Sequence, residues 1–282
     1  MIYCFDTSAL NFLLDDPECD AIAKALVAVA SVRVSALNVL EVTKTLDVTR
    51  RIQLVQLMKT LAAGKRPLDR PNTILLSYAD AHAAGASRAS VNTDPQLEGV
   101  WIALNQPELL DTEALNEATA WATEQEREFS MVVAADRDVI QARLKSTLRY
   151  RPRTVAATLR AFLQTSPDCH TLVADIYCRQ TGRRLNGHGF QGLLKEPAWP
   201  LYLGSHAYGI HNRSVRVDRH SATRNAGAID LTQSVYLTLC NRFITNDRAQ
   251  YRALRQLNVL NKKHKTQVLL FSTFRRRLLG IA

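Results

Sequence analysis

The feature that most constrains the fold is the alternation of short apolar runs with helical segments at both ends of the chain. Strand-type runs occur at 2–5 and 32–36 near the start, and at 242–246 and 267–272 near the end. Apolar residues over 37–62 recur at helical spacing, which predicts one long helix or two consecutive helices. Because strands that alternate with helices form parallel sheets with crossover helices, we predict an α/β fold with a parallel sheet and flanking helices.

The middle of the chain has a different composition from its ends. Residues 73–165 are rich in Ala, Leu, Glu and Arg, which favours helices. Residues 179–228 contain seven glycines and four histidines among basic and aromatic residues, so we predict an ordered loop with little regular structure. The sequence therefore predicts a discontinuous α/β domain over 1–64 and 226–282, interrupted by an inserted region, 65–225, that is helical at first and then a Gly/His/Arg-rich loop.

Composition places the chain among soluble globular proteins. Of its 282 residues, 46% are apolar and 22% are charged, and no apolar run is long enough to span a membrane. The start of the sequence has no basic stretch followed by an apolar run, so we predict no signal peptide. The five cysteines are irregularly spaced, which favours reduced thiols over a disulfide framework. We expect a cytoplasmic protein with no membrane partner.

Charge is unevenly distributed along the chain. The net charge is +10, and the last segment, 248–282, holds nine Lys or Arg residues and no acid. Residues 94–138 have the opposite sign, with eleven acids and two arginines. This segregation favours a nucleic-acid-binding face, although basic runs are also common on solvated surfaces. The candidate RNA-binding residues are Arg213, Arg216, Arg219, Arg224 and Arg248.

Four acids occupy positions that a parallel sheet could bring together. Asp6 directly follows the first strand-type run, and Asp247 follows RFITN. Ligands bind at the carboxyl ends of strands in open parallel sheets, so these carboxylates should lie close together. Glu41 lies on the helix after the second strand, and Asp230 opens the helix before RFITN. Clustered carboxylates repel one another unless a cation lies between them, and Mg²⁺ prefers oxygen ligands.

Each acid also has a purely structural explanation. Asp6 and Asp247 could cap helices, Asp230 could favour a helix N-terminus, and Glu41 could be a solvated helix residue. Thr7 or Ser8 could instead cap the first helix. A second set of residues has the side chains that bind zinc: Cys169, His170, Cys178 and His188. Zinc is a weaker prediction, because their spacing matches no compact zinc motif.

Together these motifs resemble a PIN-domain nuclease. The matching segments, in order, are YCFDTSAL, SALNVLEV, AIDLTQSVYLTL, FITNDRAQY and QVLLFS. The resemblance covers roughly 1–60 and 225–282, and it implies a PIN-like parallel sheet. The 188 residues between Glu41 and Asp230 are a large departure from compact members of the family.

The resemblance implies metal-dependent hydrolysis of RNA phosphodiester bonds. The implied catalytic and metal-binding residues are Asp6, Glu41, Asp230 and Asp247, which would hold Mg²⁺ or Mn²⁺. Ser8 and Thr245 match positions that often place a hydroxyl near the metal, and Asn246 lies beside them. Water activated at the metal would attack phosphorus in line and leave 5′-phosphate and 3′-hydroxyl ends.

The resemblance also implies partners. They are RNA, an antitoxin-like protein inhibitor and a second copy of the chain in a homodimer. Two alternatives remain open at the level of sequence. One is a non-catalytic RNA-binding or protein-interaction module on the same fold. The other is a structure-specific DNA nuclease that uses the same metal chemistry.

Overall fold

The computed structural model describes most of both chain ends and part of the middle. The described residues are 1–85, 95–106, 181–185, 187–210, 228–262 and 265–280, with isolated positions between 113 and 178. The elements of the first part are β1 (Ile2–Phe5), α1 (Thr7–Leu14), α2 (Cys19–Val29), β2 (Ser31–Arg33), α3 (Ala36–Thr43), α4 (Val48–Ala62), α5 (Pro71–Ala83) and α6 (Pro95–Leu104).

The remaining elements include the second half of the sheet. They are α7 (Gly187–Leu193), α8 (Ala198–Ile210), α9 (Ala228–Thr232), a 3-10 helix (Gln233–Thr238), β3 (Arg242–Thr245), α10 (Arg248–Leu257), a 3-10 turn (Asn258–Leu260), β4 (Gln267–Leu270) and α11 (Phe271–Leu278). Within the described part of the chain, no helix is both long enough and apolar enough to cross a bilayer.

The four strands form one parallel sheet in the order β2-β1-β3-β4. Tyr3 is in register with Val32 on one side and with Arg242 on the other. The chain therefore moves outward in one direction from β1 to β2 and in the opposite direction from β3 to β4. This is the reversal of strand order at which parallel sheets bind ligands, and it lies between β1 and β3. The prediction of an α/β fold with a parallel sheet and flanking helices is confirmed.

Both faces of the sheet are covered, which explains why its strands are apolar throughout. Side chains alternate along β1, so Cys4 joins the core on one face, whereas Tyr3 and Phe5 join the core on the other. The first core contains residues of α5, α8 and α10, and the second contains residues of α1, α3, α4 and α11. Two helices from the predicted inserted region, α5 and α8, thus pack in the same core as the sheet.

The structure corrects the prediction for the glycine-rich segment. A loop with little regular structure over 179–228 is wrong, because α7 and α8 both lie within it. Gly204 lies inside α8, and a Cβ atom there would be 2.4 Å from Leu260 Cδ1. The glycine therefore allows α8 to pack closely against the segment that follows α10. Residues 211–227 lie outside the described residues.

Smaller differences concern the ends of elements. The helical pattern over 37–62 forms two helices, α3 and α4. β2 ends at Arg33, and QVLLFS is divided because α11 begins at Phe271, directly after β4. Asp6, rather than Thr7 or Ser8, caps α1 by accepting a hydrogen bond from the Ala9 amide.

Candidate active site

Asp6 lies at the carboxyl end of β1, beside the reversal of strand order. Its backbone amide donates to the Ile244 carbonyl at 2.9 Å, which extends the pairing of β1 with β3 by one residue. Its side chain is 4% exposed. Oδ1 accepts a hydrogen bond from the Ala9 amide at 2.8 Å, so the same residue caps α1 and carries the buried carboxyl.

Two hydroxyl groups connect this carboxyl to the end of β3. Asp6 Oδ2 accepts hydrogen bonds from Ser8 Oγ at 2.7 Å and from Thr245 Oγ1 at 2.8 Å. Ser8 Oγ accepts from the Asn246 amide at 2.9 Å, and Thr245 Oγ1 accepts from the Asp247 amide at 3.0 Å. The ends of β1 and β3 are therefore fixed relative to each other through the carboxylate.

Glu41 is presented by the short helix α3. A capping box starts this helix, because Ser35 Oγ accepts from the Asn38 amide while Asn38 Oδ1 accepts from the Ser35 amide at 2.9 Å. Asn38 Nδ2 donates to Thr7 Oγ1 at 3.0 Å, and the Thr7 hydroxyl hydrogen-bonds to Glu41. Thr7 thus joins α3 to the start of α1, one residue after Asp6.

Burial and mutual repulsion raise the pKa values of two carboxyls. Desolvation is the main cause of the rise in the pKa of Asp6 to about 6, with a further contribution from the charge of Asp230. Desolvation also raises the pKa of Glu41 to about 7, and the charges of Asp230 and Asp6 add to it. The hydrogen bonds from Ser8, Thr245 and Thr7 act in the opposite direction.

The structure thus brings Asp6, Glu41 and Asp230 within electrostatic range of one another. Asp230 is half-buried in the short helix α9. Asp247 takes a different position, since it is exposed and caps α10 by accepting from the amides of Ala249 and Gln250. Its connection to Asp6 runs through the hydroxyl of Thr245.

The chemistry of these donors fits a hard divalent cation. Buried carboxylates that repel one another and whose pKa values are raised are stabilised by a nearby positive charge. Carboxylate and hydroxyl oxygens are the ligand types that Mg²⁺ and Mn²⁺ accept. As they stand, no three His, Cys, Asp or Glu side chains of the described residues are gathered closely enough to hold an ion.

The structural explanations are confirmed for three of the four acids. Asp230 lies in the first turn of α9, where a negative charge is favoured. Asp6 and Asp247 are both helix caps. Capping alone does not require a buried carboxyl, and Asp6 has one. Glu41 is half-buried on α3, so the alternative of a solvated helix residue describes it only in part.

The other candidate residues are only partly covered by the structure. Arg248 is exposed in the first turn of α10, whereas four predicted RNA-binding residues lie outside the described residues: Arg213, Arg216, Arg219 and Arg224. Of the zinc alternative, Cys178 and His188 are exposed, while Cys169 and His170 lie outside the described residues. The four described cysteines are free thiols.

Sequence reasoning did not identify two residues that position the site. Asn38 fixes Thr7, and Thr7 contacts Glu41. A signal was present for both. The spacing of Ser35 and Asn38 is that of a capping box with Asn in place of Glu or Gln, and Thr7 directly follows Asp6.

Comparisons of the chain with models of known protein families, with curated proteins and with solved structures give no match. The class of protein is therefore defined by the fold and the site alone. It is an open, parallel α/β protein with three carboxyls near the reversal of its strand order.

Proposed function

We propose that this protein is a PIN-type, metal-dependent ribonuclease. The observation that supports it most directly is the group formed by Asp6, Glu41 and Asp230 at the ligand-binding edge of a parallel sheet. A module that only bound RNA would gain nothing from burying carboxyls next to a polyanion, because each buried charge carries a desolvation cost. A site that holds a divalent cation requires them.

In this proposal the carboxylates of Asp6, Glu41 and Asp230 would move closer together to hold Mg²⁺ or Mn²⁺, since they do not lie close enough without it, and Asp247 would lie at the rim. When bound, the cation would supply activated water and would neutralise charge on the scissile phosphate. Before it binds, Asp6 and Glu41 retain protons through part of the neutral pH range, because their pKa values are about 6 and about 7. Ser8, Thr7 and Thr245 orient the carboxylates through their hydroxyl groups.

Cleavage of RNA by the purified chain tests the proposal. We expect Mn²⁺-dependent cleavage of a single-stranded RNA, with 5′-phosphate and 3′-hydroxyl ends, and none in chelator. Asp6→Asn and Glu41→Gln should each lower the rate about a hundredfold or more, since each removes charge from the site. Asp20→Asn, an exposed position of α2, serves as the matched control and should keep full activity.

Three outcomes would contradict the proposal or change it. Full cleavage in chelator would exclude the metal mechanism. Equal activity of wild type and Asp6→Asn would remove Asp6 from it. A single-stranded DNA of matched sequence completes the test, and cleavage of the DNA alone would favour the DNA nuclease alternative.

A further inference from the structure

The solvent-exposed face of α10 carries a row of arginines that begins next to the candidate active site. Arg248, Arg252 and Arg255 are exposed, and their spacing places them on one face of the helix together with Tyr251. Ala253, Leu254 and Leu257 form the opposite, buried face. The first arginine directly follows Asp247, so the row leads away from the candidate active site.

Among the described residues, Arg248, Arg252 and Arg255 have no acidic partner, in contrast to Arg275, Arg50 and Arg66. Arg275 Nε lies 2.5 Å from Asp16 Oδ2, and Arg275 also pairs with Glu18 at 2.8 Å. Arg50 pairs with Asp15, and Arg66 pairs with Glu98. Among the residues that the structure describes, by contrast, no carboxylate pairs with Arg248 or Arg252.

Arg255 is held in place by an aromatic neighbour. Its guanidinium lies over the ring of Tyr251, 5.4 Å from the centroid, and Nη1 donates to the Tyr251 hydroxyl at 3.1 Å. This contact fixes the direction of the side chain without neutralising its charge. The guanidinium keeps further donors for a phosphate, because it has five N–H groups.

Further basic residues follow the C-terminal end of this row of arginines. Lys262 and Lys265 are exposed in the segment that leads from α10 to β4. No acid occurs from 248 to 282, so nothing in this part of the sequence offsets the charge. From Arg248 to Arg255 the helix rises about 10 Å, so the row is an extended surface.

We infer that this face of α10 binds the phosphate backbone of the RNA strand and guides it towards Asp6, Glu41 and Asp230. The inference rests on the proposed function, since it takes RNA as the substrate. Arginine is well suited to the role, because its planar guanidinium recognises phosphate oxygens in pairs. Contacts of this kind position a strand without reading its sequence.

Binding can be measured separately from cleavage. We would titrate a labelled single-stranded RNA with the full chain in chelator, follow fluorescence anisotropy, and repeat the titration at several salt concentrations. Arg252→Ala/Arg255→Ala should weaken binding and make the slope of log K against log salt shallower by about 1.4, because two phosphate contacts are lost. Both positions are exposed, so the fold should be retained, which circular dichroism can verify.

The control has the same charge change on the other side of the sheet. Arg276 and Arg277 are exposed on α11, whose Phe271 and Phe274 pack in the opposite core. Arg276→Ala/Arg277→Ala should leave the slope unchanged. Equal losses in both double variants would show an effect of net charge alone and would overturn the inference, as would an unchanged slope for the α10 variant.

The outcomes separate this inference from the proposed function. Binding that depends on Arg252 and Arg255, in a chain that never cleaves RNA, would support the inference and contradict the nuclease proposal. Metal-dependent cleavage, together with normal binding by the α10 variant, would do the reverse.

Discussion

Asp6 caps a helix, but its burial in the fold disfavours the charged form of its carboxyl. Its carboxylate caps α1 and receives hydrogen bonds from Ser8 and Thr245, yet desolvation raises its pKa to about 6. The folded chain therefore binds the Asp6 proton more tightly than the unfolded chain does. This contribution to stability is fully present below the unfolded pKa near 3.8 and is lost as the pH rises through about 6. At pH 8 the cost is on the order of 3 kcal/mol.

This cost predicts that Asp6→Asn makes the metal-free chain more stable at pH 8 while it removes cleavage. The amide oxygen can still accept from Ala9. The amide nitrogen cannot accept the hydrogen bonds that Ser8 and Thr245 donate to Oδ2, but the desolvation of a charge is avoided, and this effect is the larger one. We expect the free energy of unfolding at pH 8 in chelator to rise by about 1–3 kcal/mol, and the difference to vanish at pH 3.5. Urea titrations at both pH values would measure this. A variant that is less stable than wild type at pH 8 would contradict the assignment.

Single residues were predictable where they follow strands. Asp6 and Asp247 are placed by the ends of β1 and β3, which the apolar runs already mark. The roles of Thr7 and Asn38 were not predictable, because both depend on α3 lying against the start of α1, a contact between residues 31 positions apart. The exposure of Asp247 was not predictable either, because an aspartate directly after a strand can be a buried metal ligand or an exposed helix cap.

At the level of elements, α3 is the helix on which the candidate site depends most. It has only eight residues, and short helices are held mainly by their caps and by packing. Asn38 is 2% exposed, completes the capping box and binds Thr7. Its side chain therefore determines both where α3 begins and how Glu41 is held.

We predict that Asn38→Ala destabilises the protein by about 2 kcal/mol, because the buried Ser35 amide loses its acceptor. Chemical denaturation would measure the loss. Thr60→Ala is a suitable control, since it removes a hydroxyl that bonds to the Gln56 carbonyl on the exposed face of α4. The control should change stability by less than about 0.5 kcal/mol. Equal losses of stability in the two variants would show that the capping box contributes no more than a surface hydrogen bond.

Elements were predicted well where one physical effect dominates. β1 and β3 follow from the apolar runs at 2–5 and 242–246, and their observed bounds agree closely with the pattern. The prediction of a loop over the segment with α7 and α8 is wrong because it takes glycine as a sign of irregular structure. In α8, Gly204 serves close packing against Leu257 and Leu260, and such a contact cannot be inferred from local composition.

For the whole molecule, the proposed metal site would couple stability to divalent cations and to pH, because the pKa values of its carboxyls are raised. A cation that binds only the folded chain stabilises it by RT ln(1 + c/Kd), where c is the free cation concentration, and protons compete for the same carboxylates. Below pH 6 the protons of Asp6 and Glu41 should therefore displace the cation.

Thermal unfolding in Mn²⁺ would test this coupling. At pH 8, an Mn²⁺ concentration a hundred times the dissociation constant should add about 2.7 kcal/mol to the free energy of unfolding. The same Mn²⁺ concentration at pH 5 should add much less. Glu41→Gln should reduce the gain at pH 8, while Asp20→Asn should retain it. A gain that is independent of pH would indicate that the cation binds elsewhere.

The central strand of the sheet pairs with residues that lie far along the chain. Tyr3 is in register with Arg242, and Asp6 is bound by Thr245. During translation, Asp6 and Glu41 have already left the ribosome when the residues that complete their site, Asp230 and Thr245, have not yet been synthesised. Under the proposed function, a nascent chain could not cleave its own messenger until β3 had emerged from the exit tunnel.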